Sequence, residues 1–157
     1  MTRQKALFEL RPAQTTVRRS SMRFSYSADE IFPMFTAVRE PEWEPAFRPV
    51  LLHDPDPLVP GLVFLTDSAK GRTYWVMTRY NEESRGVEYV RVTPSSDIAV
   101  IKILVSDTKD AGCEVWVEYE FTALEQPGEE LVAQMTQSAY DKWIDEWQSK
   151  IEAALAE

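Results

Sequence analysis

Residues 97–122, DIAVIKILVSDTKDAGCEVWVEYEFT, contain two alternating stretches joined by a short polar turn, a pattern typical of a β-hairpin. Pairing Asp107 with Cys113 puts apolar residues opposite one another on one face. The pairs are Val105 with Val115, Ile103 with Val117, Ile101 with Tyr119, and Ala99 with Phe121. On the other face Lys102 lies opposite Glu118, which is a favourable cross-strand pair. A slip of one residue would mismatch both faces, so the sequence predicts this register.

The remaining strands are predicted from shorter alternating runs between turn signals such as Pro60-Gly61 and Lys70-Gly71. Strands are expected near residues 15–26, 50–53, 62–66, 72–80, 87–93, 97–106 and 113–122. Because the connections between consecutive strands are short, we predict an antiparallel sheet of about seven strands.

Two helices are predicted, one after the first strand and one at the end of the chain. Ser27 and Glu30 have the spacing of a capping box, and Pro33 is expected to kink or shorten the helix that follows. The C-terminal helix is predicted from Glu129 to Ala156, because apolar residues recur there at steps of three and four. The apolar residues are Leu131, Met135, Tyr140, Trp143, Ile144, Trp147, Ile151 and Leu155.

Length and composition favour one globular domain. The chain has 157 residues, and no repeat or linker divides it. We expect residues 1–14 to be a peripheral segment and residues 15–157 to form a single domain. The net charge of −9 disfavours binding to nucleic acid or to anionic lipid surfaces.

Residue counts exclude several kinds of chemistry. One Cys and one His (Cys113 and His53) make a zinc site implausible and exclude an internal disulfide, whereas a Mg²⁺ or Ca²⁺ site built from carboxylates alone is not excluded by the counts. We expect no metal and no cofactor. No apolar run approaches the roughly 20 residues of a membrane span, and the N-terminus carries no signal-peptide pattern. We therefore predict a cytoplasmic protein without membrane insertion.

The order of elements is strand, helix, a turn rich in Trp and Pro, a strand meander, and a long helix. With the motifs Ser27–Phe32, Val38–Trp43 and Tyr74–Tyr80 and the Trp-rich final helix, it resembles the SRPBCC superfamily. This superfamily, also called START-like or helix-grip, includes polyketide cyclases, lipid-transfer domains and plant pollen-allergen relatives. The second and third motifs resemble a bacterial branch of it. The resemblance implies an α+β fold in which a curved antiparallel sheet wraps around the long C-terminal helix.

The resemblance also implies a cavity between the sheet and the C-terminal helix that holds a small hydrophobic or amphipathic molecule, such as a lipid, a polyketide or an aromatic metabolite. Large apolar residues at the expected inward positions are candidates for its lining. These are Phe24, Tyr26, Trp43, Phe64, Tyr74, Tyr89, Ile101, Ile103, Tyr119, Met135, Tyr140, Trp143 and Trp147.

The middle strands allow two inward faces. One contains Tyr74, Val76, Thr78 and Tyr80 with Tyr89 and Arg91; the other contains Trp75, Met77 and Arg79 with Val90 and Val92. Either choice turns one arginine toward the cavity. Because a buried arginine needs an anionic partner, Arg79 and Arg91 are candidate polar anchors for a ligand.

No catalytic constellation is recognisable in the sequence, so whether the protein is an enzyme stays open. Two alternatives to a ligand carrier remain: a cofactor-free cyclase or aromatase-like enzyme, and a protein-interaction module with a collapsed cavity. Trp116 is predicted on the outer face of the sheet beside Glu114, Glu118 and Glu120. It suggests a homodimer contact, although a single exposed aromatic residue is also common.

Overall fold

Seven antiparallel strands form one sheet within residues 7–157, the part of the chain that the computed structural model describes. The strands are β1 (Thr15–Phe24), β2 (Val50–Leu51), β3 (Val63–Ser68), β4 (Gly71–Asn81), β5 (Gly86–Thr93), β6 (Asp97–Asp107) and β7 (Cys113–Ala123). Their order across the sheet is β1-β7-β6-β5-β4-β3-β2. The predicted α+β helix-grip class is confirmed.

The register predicted for the β6–β7 hairpin is confirmed. Asp107 pairs with Cys113, and Lys102 pairs with Glu118. Every second residue of both strands is buried, from Ala99 to Val105 on β6 and from Cys113 to Ala123 on β7. This buried face is the inner face of the sheet; the opposite side is the outer face.

The two middle strands combine one half of each predicted alternative. β5 turns Tyr89 and Arg91 to the inner face, as in the first alternative. β4 turns Trp75 and Met77 to the same face, as in the second, because these residues pair with Arg91 and Tyr89. Neither alternative was right for both strands.

A β-bulge in β4 explains the mixed result. The pairing shifts between Met77 and Arg79, so Arg79 lies opposite Glu88 on the outer face. The extra residue returns Tyr80 toward the interior, where its ring stacks on Phe32. The prediction that Arg79 could reach the cavity is therefore wrong.

Pro33 shortens the first helix as predicted. The α-helix α1 covers only Ala28–Ile31, and a 3₁₀ helix follows at Phe32–Phe35. Ser27 caps α1, since its hydroxyl accepts a hydrogen bond from the Glu30 amide at 3.3 Å. A second 3₁₀ helix covers Glu40–Glu42.

The C-terminal helix is divided in two. α2 covers Gln126–Gln134 and α3 covers Gln137–Leu155, so the prediction of one continuous helix from Glu129 to Ala156 is wrong. Pro127 occupies the first turn of α2, a position that proline favours.

A contact from β1 stabilises the break between the two helices. Met135 leaves the helical conformation, with ψ of 64°. Its carbonyl accepts a hydrogen bond from Arg18 Nε at 2.9 Å. Thr136 then caps α3, its hydroxyl oxygen accepting from the Ala139 amide at 3.1 Å.

α3 covers both the inner face and the edge of the sheet at β1. Its buried residues Tyr140, Ile144, Trp147 and Ile151 face the core. On its flank, Gln137 and Gln148 donate to the carbonyl oxygens of Arg19 and Arg23 in β1, at 2.9 and 2.8 Å. These bonds use polar groups that an edge strand otherwise leaves unpaired.

The N-terminal segment is described only in part. Residues 7–14 are exposed and contain neither helix nor strand, and β1 begins at Thr15. Residues 1–6 lie outside the described residues, so the division into a peripheral segment and a single domain stays a prediction. Among the helices of residues 7–157, none is both long and apolar enough to cross a membrane.

Candidate functional site

A small cavity lies in the middle of the inner face of the sheet, where α3 and the two 3₁₀ helices pack on it. Its volume is about 20 Å³, which is room for about one water molecule. We call it the inner cavity. Its lining residues are Phe35, Glu40, Phe64, Trp75, Tyr89, Ile101, Ile103, Tyr119 and Trp147.

Aromatic rings meet around the inner cavity in two clusters. The sheet-side cluster contains Phe47, Phe64, Trp75 and Tyr89, with the Phe64 and Trp75 rings stacked at 5.5 Å. The helix-side cluster contains Phe35, Trp43, Tyr119, Trp143 and Trp147, whose closest centroids, those of Tyr119 and Trp143, are 4.9 Å apart. The protein's own rings therefore fill most of the space that the fold implies.

Glu40 is the one acidic residue that lines the inner cavity. Burial among these rings raises its pKa to about 8, and the nearby charge of Glu44 adds to the shift. Within residues 7–157, no hydrogen bond or ion pair reaches the Glu40 carboxyl group. At neutral pH this group is therefore largely protonated.

Sequence reasoning missed Glu40. It belongs to the motif Val38–Trp43, which indicates the fold and no particular chemistry. Nothing local distinguishes it from Glu42 and Glu44, which lie close by in the same segment. Its orientation follows from the 3₁₀ helix and from the amides of Trp43 and Glu44, which both donate to the Glu40 carbonyl oxygen.

Two tyrosines of the inner cavity have different hydrogen bonding. The Tyr89 hydroxyl donates to the Phe35 carbonyl oxygen at 2.7 Å. The Tyr119 hydroxyl makes no hydrogen bond with residues 7–157. Burial raises the pKa of both above the ordinary value, and the charge of Glu40 contributes in each case. Both phenols are therefore neutral donors at physiological pH.

A larger opening lies at the end of the sheet next to α2, and we call it the α2 opening. It has a volume of about 480 Å³. It is lined by residues of the β3–β4 turn, the β5–β6 turn and α2: Ser68, Lys70, Thr73, Arg91, Thr93, Ser95, Ser96, Asp97, Pro127, Glu130, Leu131 and Gln134.

Arg91 forms the charged floor of the α2 opening. Its guanidinium lies 3.1 Å from Asp97 Oδ2, and the two side chains are only 15% and 3% exposed. The guanidinium also stands 5.8 Å from the centre of the Phe121 ring. The anionic partner that a buried arginine needs is thus supplied by the protein itself.

Twelve of the thirteen predicted lining residues fall into three groups. Six line the inner cavity: Phe64, Tyr89, Ile101, Ile103, Tyr119 and Trp147. Three others pack behind these in the core, namely Trp43, Tyr140 and Trp143. Phe24, Tyr26 and Met135 also contact the core but do not line the cavity. Whether any of them binds a ligand stays a prediction.

The placement of Tyr74 in the cavity is wrong. Tyr74 is 44% exposed on the outer face, because its neighbour Trp75 takes the inward position on β4. Arg79 is also on the outer face, 3.4 Å from Glu88, so of the two predicted anchors only Arg91 reaches the inner side.

Trp116 lies on the outer face, as predicted, and is 50% exposed. It pairs with Leu104, which is 46% exposed, and Leu104 pairs in turn with Gly86. A shallow cleft of about 460 Å³ runs along this row, which we call the outer cleft. Ion pairs of Arg19 with Glu118 and of Arg79 with Glu88 border it.

The described part of the chain offers no metal centre: within residues 7–157, no group of three or more His, Cys, Asp or Glu side chains is placed to hold a metal ion.

These features define a helix-grip fold, and the resemblance predicted from the sequence is confirmed at the level of the fold alone. One similar solved structure is norcoclaurine synthase from Thalictrum flavum, with a TM-score of 0.64 and 13% identity over 94% of this chain and 98% of that one. Another is major latex-like protein 151 from Panax ginseng, with a TM-score of 0.64 and 20% identity over 88% and 96%. A protein from Thermobifida fusca matches with a TM-score of 0.61 and 16% identity over 79% and 85%.

No protein-family model and no curated protein sequence matches the chain. At the identities above, the similarity to solved structures establishes the fold alone.

Proposed function

We propose that this protein binds a small hydrophobic or amphipathic molecule between the sheet and α3, and that the molecule enters through the α2 opening. The observation that carries the proposal is the direct pairing of Arg91 with Trp75. Arg91 lines the α2 opening and Trp75 lines the inner cavity, so the two spaces approach each other at this pair.

The sizes of the two spaces determine how binding would work. The α2 opening falls in the range of about 300–1,000 Å³ that is usual for small-molecule sites, whereas the inner cavity is far smaller. An apolar body can therefore enter the inner cavity only if side chains between the two spaces move. Trp75, Leu131 and Trp143 are half-buried and are better placed to move than the fully buried Tyr140. Apolar burial at about 25 cal/mol per Å² would drive binding.

The test is saturable binding of the neutral fluorescent probe N-phenyl-1-naphthylamine, together with native mass spectrometry of protein purified from cells to detect a bound molecule. Gln134 lines the α2 opening and is exposed, so Gln134→Trp should obstruct it without disturbing the core. We expect at least about tenfold weaker probe binding. Ser138→Trp, on an exposed position of α3 outside the opening, is the matched control. Equal affinity of the two variants, or no saturable binding, would contradict the proposal.

A cofactor-free cyclase or aromatase-like enzyme is the second candidate, and Glu40 favours it. An acid held among aromatic rings with a pKa of about 8 can exchange a proton near neutral pH. If Glu40 acts as a base, the protein should accelerate the Kemp elimination of 5-nitrobenzisoxazole. In that reaction the base removes the carbon-bound proton as the N–O bond breaks. The rate should rise with pH to a plateau above about 8 and fall to background in Glu40→Gln.

An interaction module is the third candidate. The nearly filled inner cavity and the outer cleft at Trp116 favour it, and a homodimer through this face is part of the same proposal. Lipid transport and a cytoplasmic location belong to the carrier proposal and depend on identifying a ligand.

A further inference from the structure

We infer that the inner cavity binds the ammonium group of a small organic cation, with the Glu40 carboxylate as its counter-ion and the aromatic rings as its walls. This inference rests on the proposed function, because it names the class of molecule that the same site would take. The observations that carry it are the composition of the cavity wall and the pairing of the surrounding charges.

The cavity wall has the composition that recognises organic cations. Rings of Phe35, Phe64, Trp75, Tyr89, Tyr119 and Trp147 line it together with a single carboxyl group. The face of an aromatic ring attracts a cation within about 6 Å of its centre, and most strongly when water is excluded. A neutral guest could donate a hydrogen bond to the carboxylate, but only a cation would also neutralise its charge.

The basic side chains around Glu40 are already paired with other acids. Arg39 pairs with Glu42 in the same 3₁₀ helix. Lys150 of α3 lies 2.5 Å from Glu44. Among residues 7–157, therefore, none of the ion pairs includes the Glu40 carboxylate. A cation from outside the protein would supply the missing positive charge.

The size of the cavity agrees with an ammonium end group. An ammonium is close to a water molecule in size, and the cavity has room for about one water. Its N–H bonds could reach the Glu40 carboxylate, and the rings would surround its remaining surface. The apolar body attached to it would then extend toward the α2 opening.

Binding of a cation should be coupled to loss of a proton from Glu40. The titratable and charged groups that face Glu40 are Tyr89 from β5, Tyr119 from β7 and Glu44, which is paired with Lys150 from α3. Both tyrosines stay neutral below about pH 9, since their pKa values are raised. In this range, therefore, Glu40 is the group in the cavity that would release a proton when a cation binds.

The experiment compares benzylammonium with benzyl alcohol, which has a similar shape and no charge. For the unaltered protein, calorimetry near pH 8 should show at least tenfold tighter binding of benzylammonium. Its affinity should fall at least tenfold from about pH 8 to about pH 6, because Glu40 is then protonated. Repeating the titration in buffers of different ionisation enthalpy should show proton release.

Glu40→Gln keeps the shape of the protonated acid and removes its charge. We expect this variant to bind both compounds equally and to release no proton. Glu42→Gln is the matched control, because Glu42 lies in the same 3₁₀ helix and is exposed; it should behave like the unaltered protein. If the unaltered protein binds both compounds equally, or if Glu40→Gln keeps the preference for benzylammonium, the inference is overturned while the proposed function stands. If neither compound binds but N-phenyl-1-naphthylamine does, only the inference is overturned; if none of the three binds, both the inference and the proposed function are overturned.

Discussion

Glu40 differs from Glu42 and Glu44 in what surrounds it rather than in its local sequence. Glu42 and Glu44 reach Arg39 and Lys150 near the surface, where water and a cation stabilise their charge. Glu40 meets aromatic rings, and burial raises its pKa to about 8. A charged carboxylate in such surroundings costs free energy unless a cation or a hydrogen-bond donor contacts it.

This difference predicts how stability depends on pH. Because the folded-state pKa of Glu40 lies above the ordinary value of 4.5, the folded protein binds more protons than the unfolded chain between about pH 4.5 and pH 8. The free energy of unfolding should therefore contain a contribution that is lost as pH rises through this window. Because Glu40 is half-buried rather than fully enclosed, we expect less than the full pKa shift implies, a loss on the order of 2 kcal/mol.

Urea denaturation of the unaltered protein, Glu40→Gln and Glu42→Gln across this pH range measures the effect. Glu40→Gln should show a smaller decline than the unaltered protein, and Glu42→Gln should show the same decline. An identical decline in all three would mean that Glu40 titrates with an ordinary pKa in the folded state.

At the scale of single residues, the sequence predicted the aromatic residues that line the inner cavity better than it predicted the charged groups in and around it. Tyr119 could be placed inward because it alternates with Glu118 and Glu120 on its strand, whereas Tyr89 belonged to only one of the two faces that the sequence left open. Glu40 could not be placed, since a 3₁₀ helix in a proline-rich segment gives no such alternation. The anionic partner of Arg91 also escaped prediction, because Asp97 marks the start of the next strand and looks like a turn residue.

Among the elements, α2 shows how a single close approach can fix a helix on the sheet. A Cβ atom on Gly128 would lie 2.0 Å from the Ser96 carbonyl oxygen and 2.7 Å from its carbonyl carbon. Both atoms belong to the backbone of the β5–β6 turn. The backbone cannot move aside as easily as the end of a flexible side chain could. The absence of a Cβ at residue 128 therefore allows α2 to reach this turn and to form one wall of the α2 opening.

Gly128→Ala should destabilise the protein even though alanine favours helices. Helix propensity would contribute about 1 kcal/mol in favour of alanine, whereas overpacking of this kind costs about 1–3 kcal/mol and requires α2 to shift. We expect a net loss of up to about 2 kcal/mol in the free energy of unfolding, together with weaker probe binding at the α2 opening.

Gly86→Ala is the matched control, because a Cβ atom on Gly86 would have Ser84 Oγ as its nearest neighbour, 3.6 Å away. That contact is ordinary, and we expect little change in stability. Equal stability of the two variants would show that α2 does not depend on its approach to Ser96.

Helices and strands were predicted well where their sequence pattern is local. They were predicted poorly where a contact from a distant part of the chain determines where an element ends or shifts. The β6–β7 register follows from two alternating runs and a turn, all within 27 residues of one another. The break between α2 and α3 has no proline or glycine to mark it, and it depends on Arg18 from the other end of the chain. The bulge in β4 is equally invisible, because alternation continues on both sides of it.

At the scale of the whole molecule, the outer face of the sheet exposes apolar side chains. The row of Trp116 and Leu104 exposes apolar area, while the net charge of −9 on each chain opposes association of two copies. If a homodimer forms through this face, added salt should strengthen it by screening that repulsion.

Sedimentation equilibrium tests the homodimer. The proposal predicts a mass of two chains for the unaltered protein at moderate salt, and a shift toward one chain in Trp116→Ala. Val76→Ala serves as the control, since Val76 is also exposed on the outer face but lies outside the outer cleft. One-chain mass for the unaltered protein at all salt concentrations would remove the proposal.

The pairing of the first strand with the last also affects how the chain acquires its structure during synthesis. Phe24 pairs with Cys113, so about 90 residues must leave the ribosome before β1 can find its neighbour. At a translation rate of roughly 5–20 residues per second, this takes about 5–20 s. Until then the backbone N–H and C=O groups of β1 have no hydrogen-bond partners in the sheet. During this interval the apolar side chains of Met22 and Phe24 are open to chaperones or to other nascent chains.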